Sequence, residues 1–123
     1  MLQLQELDAR IRLSDQLTQE VGPVILVNTF QVAPADADAL VTAWAADAAH
    51  LKSQPGFISA QLHRGIAGSA VFCNLAVWES VAAFRAAFGD PRFQAGLARY
   101  PDSTLASPHL FQKLAVPGIC VDR

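Results

Sequence analysis

The chain has 123 residues, 52% of them hydrophobic and 16% charged, with a formal net charge of −2. That length fits one domain with one core, and the composition excludes a disordered chain. Nine Lys and Arg residues against eleven Asp and Glu, with no basic cluster, exclude a nucleic-acid footprint.

So much apolar material with so few charges points to a surface hidden against another subunit. Cys73 and Cys120 make neither a disulfide framework nor a metal-ligand pair. The first stretch, MLQLQELDARIRLSDQ, carries charges throughout and no apolar h-region, so it does not read as a signal peptide. No run reaches membrane-spanning length. A cytoplasmic protein with no membrane partner is expected.

Residues 3–20 place Leu4, Leu7 and Ile11 at helical spacing with charges between them, which predicts an amphipathic helix ended by Gly22 and Pro23. PVILVNTFQV, Pro23 to Val32, is β-branched and apolar and predicts the first strand of the domain. Pro34 suits a first helical turn, and Asp36 and Asp38 suit the positive end of a helix dipole. That helix runs to about Ser53, with Leu40, Trp44, Ala48 and Leu51 as its apolar stripe. Pro55 and Gly56 turn the chain into a second strand, GFISAQLHR, and a third follows over Ser69 to Trp78. Ser80 caps a second helix in which Phe84 and Phe88 share a face. A short helix through Phe93 to Ala98 follows, then a fourth strand, HLFQKLAV, and an irregular tail from Pro117. The divisions are an extension over 1–22, a domain over 23–117 and a tail over 118–123.

The order β-α-β-β-α-β after the extra helix predicts an α+β, ferredoxin-like sandwich with helices on one face of an antiparallel sheet. An exposed second face would alternate with polar residues. The first and third strands do not alternate in this way, so the second face is expected to be covered by a second copy in a two-fold dimer.

The third strand raises the question of function. In AVFCNLAVWES, Asn74 and Trp78 point to the same side as Phe72, because strand side chains alternate with period two. Asn28 lies in the neighbouring first strand. Two amides and an indole can then converge near Phe84 and Phe88. A buried amide without partners costs about 1–3 kcal/mol. Either the amides bond each other, the backbone or a trapped water, or they face a ligand pocket. His63, near the end of the second strand, is a candidate for the pocket rim or for a plain surface edge. His50 and His109 lie on other elements, and Trp44 reads as core. No nucleophile motif, phosphate loop or metal-ligand spacing is present.

VILVNTFQV, QPGFISAQLHR and NLAVWESVAAFRAAF, followed by a final strand, resemble the antibiotic biosynthesis monooxygenase family from about Pro23 to Val116. The resemblance implies a dimeric α/β barrel and an oxygenase using no metal, flavin or other cofactor. Its substrates would be phenolic, anthrone-like or quinol compounds, oxidised by O2 to quinones. It implies that Asn28, Asn74 and Trp78 line the pocket; from the residues themselves these three are expected to be catalytic, with Phe30, Phe72, Phe84, Phe88 and His63 around the substrate. Leu75 and Phe84 stand where some relatives carry tyrosines, which bears on any mechanism needing a phenolic proton donor. A haem-degrading branch of the family has a histidine where this chain has Leu97, which cannot ligate iron. A third reading is a non-enzymatic dimeric binder of a hydrophobic metabolite.

Overall fold

The computed structural model describes all 123 residues. Its elements are β1 (Gln3–Leu4), α1 (Leu13–Gln16), β2 (Val24–Gln31), α2 (Ala37–Leu51), β3 (Phe57–Arg64), β4 (Val71–Trp78), α3 (Val81–Phe88), α4 (Pro91–Gly96) and β5 (Leu105–Phe111). Short 3-10 turns at Pro34–Asp36 and Leu97–Arg99 lead into α2 and out of α4.

Five strands form one sheet in the order β1-β5-β2-β4-β3, antiparallel except for β1, which pairs parallel with β5. Without β1 this is the βαββαβ ferredoxin-like sheet. Even-numbered residues of β2 and β4 face the helices and form the core with Leu40 and Ala43 of α2 and with Val81, Phe84 and Ala87 of α3. Ser80 caps α3 by accepting a hydrogen bond from Ala83 N at 3.1 Å, and Asp90 caps α4 through Arg92 N at 2.8 Å. Pro91 opens α4, where a missing N–H costs nothing. Gly56 has a φ of +85°, and a Cβ there would fall 2.4 Å from the Ala83 Cβ, so the α2–β3 turn needs glycine on both counts.

The opposite face of the sheet is open, with apolar residues along β4 and polar ones such as Thr29, Gln61 and His63 beside them. Ile58, Val71, Leu75 and Phe111 are 52%, 45%, 39% and 43% exposed, and neither β2 nor β4 places a charged side chain there.

Two elements differ from the sequence reading. The helix expected over residues 3–20 does not form. Asp8 instead accepts hydrogen bonds from Arg10 N and Ile11 N, a local turn that competes with helix. Leu4, Leu7 and Ile11 stay exposed, while Leu13 is buried. The segment serves the edge of β5: Gln3 N and Gln5 N donate to Thr104 O and Ala106 O, and the Gln16 side chain bonds both Leu110 N and Leu110 O. Tertiary pairing here overrides a helical period.

The last strand runs over 105–111 rather than 109–116, and so passes through Pro108. Gln3 and Gln5 show that Thr104 and Ala106 direct their backbone groups outward to β1. Pro108 continues that outward series just past the end of β1, where no ladder N–H is required.

Candidate active site

The side chains between sheet and helices enclose a cavity of about 70 Å³. Its wall includes Asn28, Phe30, Asn74 and Trp78 from the sheet, with Phe84, Phe88, Phe93, Leu97 and Tyr100 from the second half of the chain. Asn28 and Asn74 are directly opposite each other in the β2–β4 register. On one face of an antiparallel pair such residues have Cβ atoms about 4.5–5.5 Å apart. The two amides do not bond each other: the side-chain carbonyl oxygens of both are buried with no partner. Pro108 sits opposite Asn28 on its other side and offers no side-chain polar group to it.

Trp78 is held by aromatic edges. Its ring is 5.4 Å from Phe57 and 5.9 Å from Phe84, both edge-on, and the series continues through Phe88 (5.3 Å) to Phe93 (5.1 Å). A register shift between Phe57 and Ser59 turns both Phe57 and Ala60 toward the cavity, which strict alternation would not do. On the other wall Phe30 stacks on Tyr100 at 5.8 Å.

The structure brings together Asn28, Asn74, Trp78, Phe30, Phe84 and Phe88, but it does not place His63 or Phe72 on the cavity wall. His63 pairs in register with Cys73 and therefore lies on the open face, exposed, with its Nδ1 3.2 Å from Cys73 O. Phe72 shares the face of Asn74 but belongs to the end of the core with Val32, Ala37 and Leu40, and the Arg64 guanidinium lies 5.2 Å from its ring centre.

Three wall residues were not singled out by the sequence reading. Trp44 lines the cavity rather than serving only as core. Tyr100, the one tyrosine of the chain, supplies a phenol to a cavity that lacks one at positions 75 and 84. Asp47 lies on the buried face of α2, and its Oδ2 has no hydrogen-bond partner. The signal was present: an acidic residue sits seven positions after Leu40 and four before Leu51, inside the apolar stripe. Burial pushes the Asp47 carboxyl above its ordinary value, against the opposing effects of the nearby Tyr100 hydroxyl, Arg99 and His50. Burial, together with the Asp47 charge, pushes the Tyr100 hydroxyl well above the usual phenol range.

The residues present do not fit a haem iron. Leu97 reaches the wall with an aliphatic side chain, and no histidine, cysteine or methionine joins it there.

A ferredoxin-like α+β domain with a largely apolar cavity under its central strands is the class this geometry defines. The chain belongs to the antibiotic biosynthesis monooxygenase family, whose model matches residues 23–99. No curated protein sequence matches it significantly. Among solved structures it is similar to SnoaB, a cofactor-independent oxygenase from Streptomyces nogalater, at 28% identity and a TM-score of 0.67, over 80% of this chain and 99% of that one. It is equally similar in fold to a candidate monooxygenase of Shewanella loihica, at 27% identity and a TM-score of 0.67, over 80% and 99% of the two chains. A candidate antibiotic biosynthesis monooxygenase of Caulobacter crescentus shares the fold at 23% identity and a TM-score of 0.65, over 76% and 92%. Family and structural likeness support a monooxygenase-type function.

Proposed function

We propose that this protein is a cofactor-independent monooxygenase that oxidises a phenolic, anthrone-like or quinol substrate with O2 to a quinone. The observation that carries the reading is the pair of unpartnered amide oxygens on adjacent strands, set beside Trp78 in an otherwise apolar cavity. Left unmet, each orphaned group costs about 1–3 kcal/mol. A bound molecule with its own polar atoms offsets that cost, and a purely structural core offers no reason to retain it.

The chemistry needs little from the protein. An anthrone or phenol loses a proton, and its electron-rich anion reduces dioxygen directly. For an anthrone, the methylene and O2 become a carbonyl and water. The cavity holds ring and oxygen together and keeps bulk water away. Asn and Trp N–H groups do not titrate at neutral pH and can donate to charge developing on the substrate oxygen or the peroxide. In this reading Asn74 and Trp78 stabilise that charge and Asn28 orients the substrate.

The volume bears on substrate size. The cavity, at about 70 Å³, is roughly half the size of an engineered cavity that accepts benzene, about 150 Å³. A polycyclic substrate therefore enters only if the wall moves. Leu4 of the two-residue strand β1 and Leu2 just before it form part of that wall.

The second copy expected from the sequence belongs to the same proposal. A two-fold dimer closing on the open sheet face would cover Ile58, Val71, Leu75 and Phe111 and leave the cavity on the far side of each sheet.

Oxygen uptake by metal-free protein, with anthrones, naphthols and quinols as substrates, tests the reading. Uptake with quinone formation, lost in Asn74→Ala and Trp78→Phe, is the expected result. Uptake that survives both substitutions overturns the residue assignment. No uptake across the panel favours the binding reading, and the molecule that co-purifies in the cavity then becomes the lead.

A further inference from the structure

Only Asp47 and Tyr100 of the cavity-lining side chains titrate. The Tyr100 hydroxyl is held protonated far above neutrality. The Asp47 carboxylate is thus the one group on the wall placed to take a proton from a bound molecule.

The placement of Asp47 is built by the fold. Leu40, Ala43 and Asp47 share the buried face of α2, and Asp47 is only 6% exposed. Its Oδ1 occupies the space above Gly96, where a Cβ would come within 2.5 Å of it. Its Oδ2 is buried with no partner. A carboxylate oxygen orphaned in an apolar wall is expensive unless something brings it a donor. The charged and titratable groups facing the carboxylate are His50 on α2, Arg99 on the 3-10 turn after α4, and Tyr100 just beyond, whose hydroxyl is placed to donate to the carboxylate while Oδ2 stays unpartnered. His50 itself lies 3.8 Å from Asp90.

We propose that Asp47 is the general base of the oxygenase reaction, its Oδ2 taking the proton from the acidic C–H or O–H of the substrate held in the cavity. This rests on the oxygenase reading above. The substrate C–H or O–H bond breaks, an O–H bond forms on Oδ2, and the electron pair stays on the ring system. Dioxygen, the oxidant of that reading, accepts electrons from the resulting anion. The proton returns to the peroxide as water leaves, so Asp47 ends each turnover as it began. A carboxylate whose pKa burial raises is a stronger base than an exposed one.

Asp47→Asn keeps the shape and removes the basicity. The expected result is a loss of about 10²–10⁴-fold in kcat/KM, with KM little changed, and disappearance of the acidic limb of the pH–rate profile. Raising pH past the substrate's own ionisation should restore much of the lost rate, because a base is no longer needed. Tyr100→Phe removes a neighbour that favours the ionised carboxylate, so the wild-type limb should move to higher pH. A limb that Asp47→Asn leaves intact, or that Tyr100→Phe does not move, overturns the assignment. Anaerobic infrared difference spectra with a naphthol or an anthrone separate this proposal from the oxygenase reading. A protonated-carboxyl band that rises with substrate anion, and is lost in Asp47→Asn, supports proton acceptance even if no oxygen is consumed. Binding without that band overturns it, and failure of every compound to bind overturns both.

Discussion

Along β2 and β4, Leu26, Asn28, Phe30, Asn74, Ala76 and Trp78 face the helices, while Ile25, Val27, Cys73, Leu75 and Val77 face away. The covered face holds two amide oxygens without partners, and the helix side adds one unpartnered carboxylate oxygen, Asp47 Oδ2. The open face holds no charge on either strand and leaves large apolar side chains in contact with solvent. The usual arrangement is inverted on both sides, and each inversion costs free energy. A fold that keeps both costs keeps them for something outside the isolated chain: a polar-edged ligand on one face and an apolar surface on the other. The variants that follow separate the two faces.

Among changes to the sheet itself, the largest effect is expected at Asn74. Asn74→Leu removes the orphaned oxygen without opening space. If the amide serves substrate, oxygenase activity falls about 10²–10³-fold, the size expected for one lost charge-stabilising donor. The melting temperature holds or rises, because a buried unsatisfied group has been removed. A lower melting temperature with unchanged activity would instead make Asn74 a structural residue.

Leu75, one position along, tests the other face. Leu75→Glu leaves the cavity wall untouched and places a charge in the centre of the open face. If the open face joins two copies, sedimentation or light scattering should show the mass halving relative to the parent at the same concentration. A parent that is already monomeric would refute the dimer before any variant is made.

Most of this two-sided arrangement was legible in the sequence, because period two is rigid. Parity put Asn74 and Trp78 together, the strand adjacency of the expected fold set Asn28 beside them, and the missing polar alternation marked the open face. Parity failed where the ladder departs from it: the irregularity at Phe57–Ser59 brings Phe57 to the cavity. His63 was proposed by its place along the strand, and only its register with Cys73 shows which face it takes. Pro108 disguised the start of β5, since its tolerance depends on which way its backbone points. The N-terminal segment misled most, because its helical spacing is real and a distant strand edge decides its structure. Asp47 was visible as an acid in an apolar stripe, but only the cavity gives that position chemical meaning.

Asp47 also links stability to pH. Its folded-state carboxyl is raised above the ordinary value of 3.8, so the native chain holds this proton more tightly than the unfolded chain. That contribution is fully present below pH 3.8 and is lost as pH rises through the raised value. Asp47→Asn does not titrate. The variant should therefore gain in melting temperature relative to the parent as pH climbs from 3.8 through the raised value, with the two curves parallel above and below that window. Higher stability together with lower turnover is the signature of a residue kept for chemistry. Equal curves across the whole range would show that the carboxylate finds solvent or a partner and is not held dry.

The smallest effect lies at the edge where the two faces meet. Gln16 reaches from α1 to Leu110, giving Nε2 to the carbonyl at 2.9 Å and taking the amide hydrogen on Oε1 at 2.9 Å. Its Nε2 also lies 3.2 Å from the His109 Nε2. The side chain imitates a strand residue where β1 has ended and Pro108 has just been passed. Gln16→Ala should cost about 1 kcal/mol or slightly more, since water can replace part of what the amide supplied. The Leu110 amide should lose hydrogen-exchange protection, while Asn28 and Asn74 keep theirs. Loss of protection spreading into β2 would mean that the N-terminal segment supports the cavity face itself, and oxygenase activity should then fall with it. Protection lost only at Leu110 would confine the segment to guarding the edge.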